Sequence, residues 1–251
     1  MERFYAEPEN IAAGKVSFSA EQMKYIRKVL RLEEGAKVAV TDGRGQVYLC
    51  RLRFLSREKL EGEILSPLRE DREPRLRVAL YQGIPKGDKM DQVVRQSVEL
   101  GAWKIVPLQS HRCVVRLEGR KPEERQQRWQ KIAASALEQS GRNCLPPVTG
   151  PLPLSRALQE IPKGALALMP WEGETSLGLT DLLQGHPQPK EAHLFIGPEG
   201  GFSPREAEEA AAAGVTRVTL GPRILRTETA GPAALAVILS HYGDLGGRRE
   251  P

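Results

Sequence analysis

From residue 76 onward, short apolar runs alternate with longer runs in which apolar residues recur every three or four positions. This alternation restricts the fold more than any other feature of the chain. The short runs have the composition of buried strands and lie at 76–81, 104–108, 165–169, 193–196 and 215–220. The longer runs have helical spacing and lie at 89–100, 122–140, 204–214 and 229–242. Strands that alternate with helices predict an α/β fold with a mostly parallel sheet.

The first 70 residues have a different pattern, with one helix among several short strands. Ser19 and Gln22 form a capping-box sequence, which predicts a helix N-terminus. The apolar positions of this helix are Met23, Ile26, Val29 and Leu30. Asp42-Gly43 is a hairpin signal, and residues 48–54 and 59–65 are typical of strands. Short strands joined by tight turns in so small a unit predict a little β-barrel.

A charged stretch between Pro67 and Pro74 is poor in apolar residues and is typical of a linker. We therefore divide the chain into a barrel domain at 1–70 and an α/β domain at 74–251. Residues 74–142 hold 14 Lys and Arg against 7 Asp and Glu, whereas residues 143–251 hold 9 against 12. A basic segment attracts a phosphate backbone, although an ordinary solvated face can have the same composition.

Two loops rich in glycine and proline directly follow predicted strands, at 196–202 and 220–230. In parallel sheets, ligands bind beyond the carboxyl ends of the strands, so both loops lie where a site is expected. Their glycines allow the backbone to approach a ligand. The same loops could instead be plain turns that end two strands. Gly197, Gly200 and Gly201 do not form the GxGxxG pattern of dinucleotide-binding folds, which argues against a nicotinamide cofactor.

These loops resemble those of the RsmE family of 16S ribosomal RNA uridine-N3 methyltransferases, which belongs to the SPOUT superfamily. The resemblance rests on Ile196-Gly197-Pro198-Glu199-Gly200-Gly201 and on Leu220-Gly221-Pro222-Arg223-Ile224-Leu225-Arg226-Thr227-Glu228-Thr229-Ala230. Residues 82–91, 99–101 and 138–142 extend it, as does the N-terminal barrel, which in that family is a PUA-like RNA-binding domain. The resemblance leads us to expect an acidic residue at His111, so that position receives no role.

The resemblance implies a trefoil-knotted α/β domain, a homodimer, and S-adenosylmethionine as the cofactor held by the knotted loops. The cofactor-binding residues that it implies are Met169, Pro170, Trp171, Ile196, Gly197, Pro198, Glu199, Gly200, Leu220, Gly221, Ile224, Leu225, Arg226 and Thr229. The dimer is also expected from the run 229–242, which is apolar on all sides and exceeds what a monomer's surface helix needs.

Methylation at N3 of uracil requires loss of the imide proton, while negative charge spreads onto the two flanking carbonyl oxygens. A guanidinium near those oxygens stabilises that charge, and Arg226 is predicted to supply it. Glu228 is predicted as the general base or as the group that orients it, with Glu199 as the second choice. In the alternative, Arg226 and Glu228 pair with each other and only brace the loop.

The predicted partner is 16S ribosomal RNA or the 30S subunit. The residues predicted to contact RNA are Arg51, Arg53, Lys86, Lys89, Arg112 and Arg116. No metal is expected, because the cysteines form no CxxC pair and no histidine has zinc-ligand spacing. No run approaches the roughly 20 apolar residues that span a bilayer, and no secretory signal is recognisable, so a cytoplasmic location is expected. Two rival functions are a non-catalytic RNA-binding protein of the same fold and a nicotinamide-dependent oxidoreductase.

Overall fold

The structure, a computed structural model, describes residues 1–56, 59–113, 121–243 and 245–247. By its internal contacts the chain divides into two compact units. Unit 1 comprises Met1–Glu73 and Leu137–Leu145, and unit 2 comprises Pro74–Ala136 and the described residues from Pro146 onward. The predicted fold class, a small β-rich part followed by an α/β part with a parallel sheet, is confirmed. The knot stays a prediction.

Unit 1 contains a curled six-stranded sheet and one α-helix. Its strands are β1 (Arg3–Tyr5), β2 (Ile11–Ala12), β3 (Lys15–Ser17), β4 (Lys37–Thr41), β5 (Val47–Phe54) and β6 (Leu60–Leu68), and its helix is α1 (Ala20–Lys28). The strand order is β1-β4-β5-β6-β3-β2, with β1 and β4 parallel and the other described neighbours antiparallel. The sheet is a half-barrel, because no ladder between described residues joins its edge strands β1 and β2.

Helix α1 begins at the predicted capping box. The backbone N–H of Gln22 donates to Ser19 Oγ, and the backbone N–H of Ser19 donates to Gln22 Oε1, each at 3.1 Å. Ile26 is fully buried in the core of unit 1, as its spacing predicts. Val29, another of the apolar positions, is 63% exposed and is the C-cap residue that directly follows the helix.

The segment Leu137–Leu145 packs within unit 1, although its sequence position falls inside the predicted 74–251 domain. Glu138 Oε1 accepts the backbone N–H of Tyr5 at 2.8 Å. Glu73 Oε1 accepts the backbone N–H of Asn143 at 2.8 Å, and the carboxylate of Glu73 also pairs with the nearly buried guanidinium of Arg142. The hydrogen-bonding groups of residues 138–143 therefore stabilise unit 1.

Unit 2 is built on a six-stranded sheet whose neighbouring strands are all parallel. Its strands are β7 (Arg77–Gly83), β8 (Lys104–Gln109), β9 (Leu152–Pro153), β10 (Leu166–Pro170), β11 (Glu191–Ile196) and β12 (Thr216–Val218). The order is β12-β10-β11-β7-β8-β9. Strands β8 and β9 follow β7 on one side of the sheet, and β10, β11 and β12 form the other side. The direction of the strand order therefore reverses beside β7. Ligands in open α/β sheets bind at such a reversal, beyond the carboxyl ends of the strands.

The helices assigned by the structure to this part of the chain are α2 (Lys89–Leu100), α3 (Lys121–Ser140), α4 (Leu154–Gln159), α5 (Leu179–Gly185), α6 (Pro204–Ala212) and α7 (Thr227–Tyr242). The sequence predicts four of these six helices but not α4 and α5, which have 6 and 7 residues and too few turns to show a helical period. No helix among the described residues has both the length and the apolar character to cross a membrane.

Helix α7 packs on α2 and on the sheet of its own unit. Leu235, Ile238 and Leu239 are fully buried there, so most of the apolar surface that suggested a dimer is covered by the chain itself. The outward side retains Ala236, which is half-buried, and Val237, which is 36% exposed. The apolar surface that α7 offers to a second subunit is therefore narrower than the sequence suggests, and the homodimer stays a prediction.

Candidate functional site

A cavity of about 540 Å³ opens in unit 2 beyond the carboxyl ends of β10 and β11. Three loops form its wall, at 171–175, 197–202 and 219–226, and the first turn of α7 closes it. A volume of this size is ordinary for a site that holds a cofactor or small molecule. Both loops that the sequence predicts as functional therefore lie at one site.

Close backbone packing shapes the loop 197–202. A Cβ atom on Gly197 would lie 2.9 Å from the backbone carbon of Gly201, and one on Gly83 would lie 2.5 Å from the nitrogen of Pro198. Side chains at these two positions would push the chain segments apart. Gly201 has φ of 64°, a left-handed conformation that glycine adopts without strain. These glycines keep backbone groups at the cavity wall.

Thr227 connects the two loops. Its hydroxyl donates to the carbonyl of Gly197 at 2.6 Å and accepts the side-chain amide of Gln82 at 2.8 Å. Thr227 and Gln82 are both buried, so these hydrogen bonds form away from solvent. Since Thr227 is also the first residue of α7, the start of this helix is held against the loop that follows β11.

Two carboxylates and one ammonium group lie together in the cavity wall. Lys89 Nζ is 3.4 Å from Glu199 Oε1 and 3.3 Å from Glu228 Oε1. Glu228 is 8% exposed, and its Oε2 is buried without a hydrogen-bond partner in the part of the chain that the structure describes. A buried carboxylate oxygen of this kind can accept a proton or a hydrogen bond from a ligand.

Glu199 is held in its ionised form. Burial raises the pKa of its carboxyl, but hydrogen bonds from the backbone N–H of Lys86 and of Glu199 itself, together with the ammonium of Lys89, lower it below its ordinary value. The Lys86 N–H lies 2.9 Å from Glu199 Oε1. Because its proton affinity is reduced, Glu199 is a weaker general base than an ordinary carboxylate.

Trp171 forms an aromatic wall of the site. Its indole N–H donates to the carbonyl of Phe202 at 3.3 Å, and the guanidinium of Arg217 lies 5.4 Å from its ring centre. Gly173 lies against the ring, where a Cβ atom would be 2.3 Å from a ring carbon. In the same loop, hydrogen bonds from the hydroxyl and backbone of Ser176 lower the pKa of Glu174 to about 2. The site thus has an ionised carboxylate beside its aromatic wall.

Arg226 lies at the cavity rim immediately before α7, and it is exposed. Among the described residues, its guanidinium makes no ion pair, whereas Glu228 pairs with Lys89. The described residues therefore give no support to the alternative in which Arg226 and Glu228 brace each other, and the role of Arg226 stays a prediction. Ile224, in the same loop, is 86% exposed and leaves an apolar side chain at the mouth of the cavity.

Most of the residues predicted to bind the cofactor line this cavity. Met169 does not, because it is fully buried in the core below the site. Gly200 and Thr229 are exposed and are not part of the wall. The lining residues that the sequence analysis missed are Glu172, Glu174, Thr175, Gly201, Phe202, Thr219, Pro222, Arg223, Thr227 and Ala230. Their position inside or beside the two loops was a usable signal for all but Glu172, Glu174 and Thr175.

The residues predicted to contact RNA have different surroundings. In unit 1, Arg51 lies 4.0 Å from Glu63, and Arg53 lies 3.0 Å from the same carboxylate. In unit 2, Arg112 donates to the carbonyl of Gly200 at 2.8 Å. The side chain of Lys86 is exposed, Lys89 lies in the cavity wall, and Arg116 lies outside the described residues. His111 is exposed and contacts Glu206 through its backbone N–H, at 2.7 Å.

Comparison with known protein families gives two matches. Residues 72–239 match the model of an RNA methyltransferase domain, and residues 18–65 match that of an RNA methyltransferase PUA domain. The described residues bring together no group of three or more His, Cys, Asp or Glu suited to a metal ion.

Similar proteins cover nearly the whole chain. Ribosomal RNA small subunit methyltransferase E of Bacillus subtilis is 31% identical over 95% of this chain and 96% of its own length. The protein of that name from Synechocystis is 35% identical over 94% of this chain and 76% of its own length. The crystal structure of the Neisseria gonorrhoeae protein of that name, bound to S-adenosylmethionine, is 39% identical with a TM-score of 0.87, covering 97% and 99% of the two chains. The chain therefore belongs to the ribosomal RNA small subunit methyltransferase E family, as its two loops predicted.

Proposed function

We propose that this protein transfers a methyl group from S-adenosylmethionine to N3 of a uridine in the 16S RNA of the small ribosomal subunit. The observation that carries the proposal is the cavity in which two backbone-lined loops meet two carboxylates and the exposed guanidinium of Arg226. Membership of the family supports the reaction class, and relatives crystallised with S-adenosylmethionine support the cofactor.

The donors and surfaces of the cavity fit S-adenosylmethionine. Backbone groups of the loops 197–202 and 219–226 can bind the edge of an adenine, and the apolar side chains of Ile224 and Leu225 can cover its face. The carboxylates of Glu199 and Glu228 complement a cation, and the cofactor is positively charged at sulfur. When bound, the cofactor supplies an electrophilic methyl group, and the protein supplies orientation and electrostatics.

The side chains then have distinct tasks at the uracil ring. As N3 loses its proton and bonds to carbon, charge on the flanking carbonyl oxygens is stabilised by the guanidinium of Arg226. Glu228 accepts the proton, because its Oε2 is buried in the wall with no other donor in the described residues. Glu199 is the weaker alternative base, since its hydrogen bonds lower its pKa. The N3–H bond and the bond between the methyl group and the sulfonium sulfur are thereby exchanged for an N3–carbon bond and a neutral thioether, and the proton remains on Glu228 until it reaches solvent.

Unit 1 docks the RNA and unit 2 carries out the transfer, which corresponds to functional domains at 1–70 and 74–251. The enzyme acts in the cytoplasm as a homodimer, with the outward strip of α7 around Ala236 and Val237 at the interface. Light scattering at micromolar concentration should give the dimer mass, and Ala236→Glu should give monomers with impaired activity. A fully active wild-type monomer would exclude the dimer.

The two rival functions predict different ligands. A nicotinamide-dependent oxidoreductase would be stabilised by NAD, and a non-catalytic RNA-binding protein of the same fold would transfer no methyl group. We expect S-adenosylmethionine and S-adenosylhomocysteine to raise the melting temperature and NAD to leave it unchanged. At a hundredfold excess of ligand over Kd, the free energy of unfolding should rise by about 3 kcal/mol.

The direct test is transfer of a labelled methyl group from S-adenosylmethionine to small-subunit RNA that lacks the modification. The matched control is large-subunit RNA from the same cells. Label in the small-subunit RNA alone supports the proposal, and label in neither RNA, or in both equally, contradicts it.

A further inference from the structure

The outward side of α1 in unit 1 is both basic and apolar. Residues 24–31 contain four cations and no acid, whereas residues 1–73 as a whole hold 14 Lys and Arg against 13 Asp and Glu. Tyr25 is 48% exposed and Val29 is 63% exposed. We define the α1 face by its exposed members, Lys24, Tyr25, Lys28, Val29 and Arg31. Positive charge is concentrated here beside apolar surface that has no role in the core.

The spacing of these residues makes one continuous surface. Lys24 and Lys28 are four positions apart, as are Tyr25 and Val29, so each pair lies one helical turn apart on the same side. The exposed ring of Tyr25 and the ammonium of Lys28, three positions apart, therefore lie on neighbouring positions of the helix surface. Unpaired RNA bases stack on aromatic rings, and neighbouring phosphates attract cations.

The cations of the α1 face are free to bind phosphate. Within the described part of the chain, Lys24, Lys28 and Arg31 make no ion pair with an acid. The fourth cation of the segment, Arg27, is occupied, because it donates to the carbonyl of Ser56 at 2.6 Å and lies 4.6 Å from the ring centre of Phe54. It holds the helix to the sheet and is not counted in the face.

The basic residues of β5 are less available for RNA. The guanidinium of Arg53 donates to Glu63 at 3.0 Å and also lies 3.8 Å from Glu34, and Arg51 lies 4.0 Å from Glu63. A phosphate would have to compete with these carboxylates. Among the residues of unit 1 that the structure describes, no carboxylate pairs with Lys24, Lys28 or Arg31.

Arg31 has a backbone conformation that its side chain does not favour. Its φ is 52°, in the left-handed region where glycine and asparagine are less strained. Local backbone preference therefore does not explain an arginine at this position.

We infer that the α1 face is the surface of unit 1 that binds ribosomal RNA, with Tyr25 stacked on an unpaired base and Lys24, Lys28 and Arg31 on the adjacent phosphates. The inference rests on the proposed function, because it takes the RNA substrate as the partner. The face lies within residues 18–65, the region that matches an RNA methyltransferase PUA domain.

The test measures binding of the full-length protein to small-subunit RNA by filter retention at several salt concentrations. Lys24→Ala with Lys28→Ala should weaken binding at least tenfold at low salt and reduce the slope of log affinity against log salt by about 1.4. The matched control is Arg51→Ala with Arg53→Ala, which removes the same charge from the same unit. If both double variants lose equal affinity, the loss reflects net charge and the inference is wrong.

Two further variants separate recognition from folding. Tyr25→Ala should lower affinity about tenfold with an unchanged salt slope, and Tyr25→Phe should retain it. Arg31→Asn should leave the melting temperature unchanged or higher, because the strain is relieved, and still weaken RNA binding. Loss of RNA affinity only in parallel with loss of melting temperature would contradict the inference.

The proposed function is tested separately in the same experiment. If wild-type protein binds no small-subunit RNA, the proposed function fails. If it binds RNA and the variants of the α1 face bind equally well, the inference about the α1 face fails and the proposed function stands. Affinity for S-adenosylmethionine should be unchanged in every variant, since the cofactor cavity is formed by unit 2 alone.

Discussion

The ammonium of Lys89 lies 3.3 Å from Oε1 of Glu228, in the wall of the cavity. The same ammonium is 3.4 Å from Oε1 of Glu199. One cation thus lies within ion-pair distance of two carboxylates that would otherwise repel each other. The sequence predicts Lys89 as an RNA ligand because it is basic, and the structure places it beside the two acids that the sequence predicts as catalytic.

Replacing this cation should change how the rate depends on pH. In Lys89→Met the carboxylate of Glu199 loses the ammonium that helps to lower its pKa, so its protonation becomes easier and an acid limb set by Glu199 should move to higher pH. Turnover at pH 7 should fall about tenfold. Steady-state methyl transfer between pH 5 and 9 measures both effects.

Lys86→Met is the matched control for Lys89→Met. Lys86 contacts Glu199 through its backbone N–H, which the substitution retains. Loss of the Lys86 ammonium should lower RNA affinity alone and leave the acid limb of the pH–rate profile in place. An equal shift in both variants would show that long-range charge, and not the contact of Lys89 with the two acids, sets the profile.

Arg226→Ala should separate chemistry from cofactor binding. Its guanidinium is expected to act on charge that develops only in the transition state, so turnover should fall at least about tenfold while cofactor affinity stays nearly unchanged. Calorimetric titration with S-adenosylhomocysteine gives the affinity and single-turnover transfer gives the rate. Arg223→Ala removes another exposed arginine from the same loop and should retain most of the activity. Equal rates in the two variants would remove the role assigned to Arg226.

Thr227→Val should weaken both the fold of unit 2 and cofactor binding. The substitution keeps the shape of the side chain but removes the hydrogen bonds to Gly197 and Gln82, which are 2.6 and 2.8 Å long. We expect the free energy of unfolding to fall by about 2 kcal/mol and cofactor affinity to fall several-fold. Thr229→Val changes an exposed threonine two residues later and should have neither effect. Denaturant titration compares the two.

Glu73 should make unit 1 sensitive to acid. Burial raises the pKa of its carboxyl, but the ion pair with Arg142 and the N–H groups of Cys144 and Asn143 lower it below the ordinary value of 4.5. A lowered folded-state pKa stabilises the unit above that ordinary value, and the stability is lost as pH falls through the folded-state pKa. Glu73→Gln should therefore cost about 3 kcal/mol at pH 7 and less as pH falls.

Glu138→Gln is the matched control in the same unit. Burial raises the pKa of Glu138, so its contribution to stability has the opposite sign of pH dependence and is lost as pH rises through the folded-state pKa. In urea titrations at pH 3 to 7, the stability cost of Glu73→Gln should shrink as pH falls, and the stability cost of Glu138→Gln should grow. Parallel curves would contradict both assignments.

The sequence predicted the part of the fold that periodicity controls. The helices α2, α3, α6 and α7 and the buried strands of unit 2 have strong patterns, and α6 begins at the predicted capping box of Ser203 and Glu206. Two short helices have too few residues for a period. The packing of Leu137–Leu145 within unit 1 rests on contacts between residues far apart in the chain, such as Glu138 with Tyr5, which no local pattern encodes.

The sequence predicted the parts of the site that depend on backbone conformation within one loop. It did not predict the contacts between side chains from different loops. The glycines at 197 and 201 indicated a tightly folded loop, and the structure places that loop at the cavity. The position of Lys89 between two acids depends on three segments that converge only in the folded chain. The hydrogen bond between Thr227 and Gln82 likewise joins residues far apart in the chain, so no local pattern predicts it.

The central claim is that the cavity directs a methyl group to the imide nitrogen of uracil, and the chemical identity of the product tests it most directly. Small-subunit RNA methylated by the enzyme would be digested to nucleosides and compared with synthetic standards by chromatography and mass spectrometry. We expect N3-methyluridine at a single site, formed by the wild type and at least about tenfold more slowly by Arg226→Ala. Methyl groups found instead on C5 of uracil, on a ribose hydroxyl or on another base would contradict the account.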